Sequence, residues 1–147
     1  MGEEFSARCD TIEKCYEFML AYAGQGLLGH EGSASTMQVR EYLEHAANAL
    51  SGLAASYSQA VKERNLEHPE RYSAFLSLLD RDARDSLAAI QLVLAQAIIS
   101  SQLIDNLNAS IHLRALLTDL FLIDEILKPQ PALQKAATGD ALDSSKS

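Results

Sequence analysis

The chain has no tryptophan, only two cysteines, and no uninterrupted apolar run of the roughly 20 residues that a bilayer crossing needs. It also lacks a basic cluster. Twelve Lys and Arg face twenty Asp and Glu, a formal net charge of −8. Nucleic-acid binding requires clustered cations to neutralise phosphates, so no nucleic-acid partner is expected. The same acidity argues against adsorption to anionic lipid, and no membrane partner is expected. Met1 is followed by Gly2-Glu3-Glu4 rather than by a basic and then an apolar segment. No signal peptide is therefore expected, and the expected location is cytoplasmic.

Cys9 and Cys15 stand six residues apart in a helical pattern. That places them about two-thirds of a turn from a shared face, which suits neither a disulfide nor a joint metal site. They read as two small thiols in a reducing compartment. No Glu-x-x-His pair occurs, so the ligand set of a di-iron bundle is missing. Glu41 and His45 share a helix face and read as a surface contact. His30 and His68 fall in turns.

What the chain has is alanine and leucine. They dominate a hydrophobic fraction of 48% in 147 residues, enough for one domain with a sizeable core. Both enter helices at little cost, whereas strands prefer branched and aromatic side chains.

The apolar spacing agrees. Phe5, Cys9, Ile12, Tyr16, Met19 and Ala23 alternate in steps of four and three, one face of a first helix. A second helix starts near Ser33 or Ser35. It carries Val39, Leu43, Ala46, Leu50, Leu53, Tyr57 and Ala60 and runs out near Arg64-Asn65, with Gly52 admitting a close neighbour rather than breaking it. Pro69 opens a third, with Tyr72, Leu76, Leu79, Ala83, Leu87, Ile90, Leu94 and Ala97 on one face. A fourth covers Gln102 to Leu127. An unbroken helix from Pro69 to Lys128 would reach about 90 Å, so a turn is expected at Ser100-Ser101. Asp80–Arg84 and Arg81–Asp85 are four apart and read as a solvated charged face. The expected fold is all-α: an antiparallel four-helix bundle-like domain over 1–128, followed by a flexible tail over 129–147.

Gly24-x-Gly26-x-x-Gly29 has the spacing of a dinucleotide-binding fingerprint, and Glu44 lies about 20 residues beyond Gly24. The fingerprint needs a strand before it and a helix starting within it. Here the preceding segment is helix-periodic and His30-Glu31-Gly32-Ser33 follows, so the glycines read as a connection. No cofactor is expected.

The fourth helix carries the functional expectation. Wound at 100° per residue, it is apolar on two faces. One holds Ile104, Leu107, Ile111, Ala115 and Leu122; the other holds Ala109, Leu113, Leu116, Leu117, Leu120 and Leu127. A peripheral helix buries only one face, so Leu113, Leu116, Leu117, Leu120 and Leu127 are expected to form an interface with another chain, most simply in a homodimer or else in a heteromeric complex. Asp105, Asn108, His112 and Asp119 make a polar stripe between the faces. Asp105, Asn108 and His112 are candidate ligand-binding residues. With no catalytic set legible, the leading expectation is a non-enzymatic regulator, adaptor or assembly chaperone acting through helix four. The alternative is a ligand- or metal-binding bundle, sensor or enzyme, that uses the polar stripe.

Overall fold

A computed structural model describes residues 2–30 and 33–128, and the chain is all-helical over them. Six helices follow in order: α1 Glu3–Ala23, α2 Ala34–Ser51, α3 Leu53–Lys62, α4 Pro69–Leu94, α5 Ser101–Ala109 and α6 Ile111–Leu127. The expected tail, 129–147, lies outside the described residues.

Helix α1 buries Phe5, Cys9, Ile12, Cys15, Met19 and Tyr22. Cys15 and Tyr22 thus take the inward positions expected of Tyr16 and Ala23. The glycines that follow are structural. Gly24 caps α1, while Gly26 and Gly29 adopt positive φ. A Cβ at Gly29 would run into the Ile99 carbonyl, because this loop lies against the α4–α5 connection. The two connections are tied together by side chains. The Tyr22 hydroxyl donates to the Ile99 carbonyl, and the Ser101 hydroxyl donates to the Tyr22 carbonyl. The Leu27 amide donates to Ser101 Oγ at 2.8 Å, and the Ser101 amide donates to the Leu27 carbonyl at 2.9 Å.

The second expected helix is two. Ser33 caps α2 by accepting from the Thr36 amide, and the helix stops at Gly52, whose φ of −112° and ψ of 8° are not helical. Arg8 of α1 explains the break. Its guanidinium donates to the Asn48 and Ala49 carbonyls and occupies the space a Cβ at Gly52 would need. Gly52 therefore does admit a neighbour, but the helix breaks there as well.

Helix α4 begins at Pro69, as expected, after His68 in the left-handed region. It ends at Leu94, and Ser100 caps α5 by accepting from the Leu103 amide. The turn expected near Ser100-Ser101 is present. Arg40 of α2 holds it, donating to the carbonyls of Leu94, Gln96 and Ala97.

The fourth expected helix also divides. Ser110 takes an extended conformation, ends α5 and caps α6 by accepting from the Leu113 amide at 3.3 Å. A serine hydroxyl satisfies the orphan amides of a new first turn better than it serves inside a helix. The break divides the expected rod: α5 buries Ile104 and Leu107 and α6 buries Leu113, Leu116, Leu117, Leu120 and Leu127, while Ile111 and Leu122 of the first expected face stay exposed.

The core gathers Phe5, Met19, Tyr22, Leu43, Leu53, Tyr57, Leu79, Ile90, Ile99, Ile104, Leu116 and Leu120, all fully buried. Helix α4 packs against α2, α3 and α6, and α1 packs against α2, α3 and α5.

Candidate interaction face

Helix α6 presents three sectors. The first is the core sector. Leu113, Leu116, Leu117, Leu120, Ile123 and Leu127 are buried within the chain's own fold. This overturns the expected interface: Leu113, Leu116, Leu117, Leu120 and Leu127 already have intramolecular neighbours and offer nothing to a second chain. The physical reason is the break at Ser110. It frees α6 to turn this face inward while Ile104 and Leu107 of α5 are buried separately.

The second sector faces α4, which runs in the opposite direction. Ser86 Oγ donates to the His112 carbonyl at 3.0 Å, and His112 Nδ1 lies 4.0 Å from Asp85 Oδ2. One helical turn or two further on, Asp119 is buried beside Asp82. Burial, then the hydrogen bond and charge of Asp82, push Asp119 up to about 8. Its Oδ2 has no hydrogen-bond partner among the described residues. Asp119 therefore holds its proton at neutral pH.

The candidate ligand residues are not brought together. Asp105 is exposed on α5, Asn108 is buried near the end of α5, and His112 lies across the Ser110 break beside Asp85. No hydrogen bond joins any two of the three among the described residues. Neither Asn108 Nδ2 nor Oδ1 has a protein partner. Among the described residues, no three His, Cys, Asp or Glu side chains form a metal-sized cluster. Burial pushes the thiols of Cys9 and Cys15 up to about 12, which leaves them protonated and unreactive.

The third sector points outward and is apolar where a lone helix would be polar. Ile111 is 75% exposed, Phe121 56%, and Leu122 and Ile126 52% each. At 100° per residue Ile111, Ala115, Leu122 and Ile126 fall within about 60° of one another, a row along the helix with Thr118 at its edge between Ala115 and Leu122. Arg114, Glu125 and Phe121 flank it on the side away from α4. On the α4 side, Ile126 runs into an apolar recess of about 300 Å³, lined also by Tyr72, Phe75 and Ile123, with Glu67, His68 and Arg71 at its rim. Leu78, exposed on α4, shares the three-four row of Phe75 and Asp82.

Scans of protein-family models, curated proteins and solved structures return no significant match. Function rests on this geometry.

Sequence reasoning identified α6 as the two-faced element but assigned the outward role to the wrong face. The signal that separates them is Ser110, followed by a four-residue apolar spacing that restarts at Leu113. The charged stretch Asp80–Asp85 was legible only in part. Asp80 and Arg84 do pair on the surface at 2.9 Å, but Asp82 and Asp85 turn toward α6. Among the described residues His45 lines a shallow recess with Arg8 and Asn48 and makes no ion pair with Glu41.

Proposed function

We propose that this chain is a non-enzymatic helical interaction module that binds another polypeptide through the outward row of α6 and the adjoining recess. The scaffold behind it is an antiparallel bundle of four rods: α1, the bent pair α2–α3, α4, and the bent pair α5–α6. The observation that carries the reading is the continuity of the patch. Ile111, Leu122 and Ile126 line up along α6, and the recess prolongs them toward α4 at Tyr72 and Phe75. Single exposed apolar residues are ordinary; an aligned row merging with an apolar hollow marks a contact surface.

The rigid core behind the row suits such a role, because a preformed face loses little freedom on binding. A photo-crosslinking residue at position 122, introduced in living cells, tests the reading. Adducts to a polypeptide are expected there, and none from Met37, an exposed apolar residue on α2. Equal yields from both positions would refute it.

A further inference from the structure

Resting on that reading, we infer that the polypeptide bound at this face is a second copy of the same chain, paired through α6 antiparallel about a two-fold axis. Three features of the surface complement themselves under that operation.

The first is the row. In an antiparallel pair centred near Thr118 and Asp119, Ile111 comes level with the partner's Ile126, and Ala115 with the partner's Leu122. Small meets large at the centre. Isoleucine meets isoleucine at the ends, and each pair recurs with the copies exchanged, as an isologous contact demands.

The second is mutual cover. Ile111 is the most exposed large apolar side chain of α6, and Ile126 is half exposed at the other end of the helix. The two lie 15 residues apart, about 22 Å along the axis. The same alignment that pairs the rows sets each Ile111 beside the other copy's Ile126, so each copy covers both exposed ends of its partner's row.

The third is charge. In an antiparallel pair, the flank carrying Arg114, Phe121 and Glu125 meets the same flank of the partner. Arg114 then falls between the partner's Phe121 and Glu125, within one turn of each, where both a salt bridge and a cation–π contact are available. Among the described residues only Glu125 Oε1 is engaged, by Lys128 at 3.0 Å, so Oε2 remains to accept. A parallel pair would bring Arg114 level with the partner's Arg114 and lose this match.

Size sets the strength. A 17-residue helix is about 26 Å long, and with the edge of α4 the strip is about 20 Å wide, a footprint of roughly 500 Å². Standard specific interfaces bury about 800 Å² per partner. The expected association is therefore micromolar rather than nanomolar.

Sedimentation velocity of the purified full chain from about 1 µM to about 500 µM tests the inference. The wild-type chain is expected to pass from monomer to dimer within that range. Ile111→Asp is expected to weaken pairing about a hundredfold or more. A carboxylate at the first residue of α6 suits the helix dipole, so the variant should keep the wild-type melting curve; Leu122→Gln provides an independent check. Arg114→Glu and Glu125→Arg should each weaken self-pairing about fivefold, and mixing the two should restore it, because both cross-pairs are then opposite in charge.

A chain that stays monomeric throughout overturns the inference. So does dimerisation that ignores Ile111→Asp and Leu122→Gln, or a charge-swap mixture no tighter than its components. If the crosslinker at position 122 captures a different polypeptide while the pure chain stays monomeric, the second copy is excluded and the interaction reading survives. A monomer that also yields no adduct at that position removes both.

Discussion

At the scale of single residues, two buried polar groups carry testable costs. The carboxyl of Asp119, held beside Asp82, rises from an ordinary 3.8 to about 8. Because its folded value is the higher one, the stability it contributes is full below about pH 4 and is lost as pH rises through about 8. Asp119→Asn keeps a hydrogen-bonding partner for Asp82 and removes the titration. Its melting temperature should match wild type at pH 4, exceed it increasingly toward pH 8, and hold that gain above. Thermal melts across the range check this, and a gain independent of pH would contradict a carboxyl that keeps its proton. Asn108 buries an amide with neither atom satisfied by protein. An orphaned polar group costs about 1–3 kcal/mol, so Asn108→Leu is expected to raise Tm by roughly 2–8 °C or more. A lower Tm would show that the amide is paired after all.

At the scale of elements, the serines decide the architecture. Ser33, Ser100 and Ser110 each accept a hydrogen bond from the amide three residues on and open α2, α5 and α6. Ser110→Ala removes the cap between α5 and α6 and should cost about 1 kcal/mol, read as a lower midpoint in urea. The caps also explain what was legible. Pro69 and Ser33 stand beside long periodic runs and glycine or charged stretches, so their helix starts could be read directly. Ser110 sits inside a helix-periodic run with no glycine or proline, and a local cap there competes with simple continuation. Gly52 was visible as an irregularity, but the group that resolves it, Arg8, comes from another helix more than 40 residues away. Contacts of that kind are set by packing and leave no local signature.

At the scale of the whole molecule, the inward stripes of α1 and α2 were legible because each long helix has one face that is clearly more apolar than the rest. The outward face of α6 was not, because two comparably apolar faces cannot be ranked until the chain's direction at Ser110 is known. Net charge adds a further expectation. Two copies of −8 repel each other, and Arg114 is the cation placed at the proposed seam. The penalty of Arg114→Glu should therefore be largest in dilute salt and shrink as the screening length falls from about 30 Å at 0.01 M toward 3 Å at 1 M. Comparing wild-type and variant dimer affinities across that series checks it, and a constant ratio would place Arg114 away from the partner.

The tie between the two loops at Tyr22, Leu27, Ile99 and Ser101 makes the ends of the molecule unequal. One pole is riveted by crossed backbone and side-chain bonds, and Arg40 clamps the neighbouring turn. The other pole, where the left-handed His68 introduces α4 beside the recess, has a single tie of this kind among the described residues, from the Tyr57 hydroxyl to the Tyr72 carbonyl at 3.1 Å. Local opening starts where such bonds are fewest. Local opening is accordingly expected to begin at the recess pole, and the hollow there could widen without disturbing the knot at the far end.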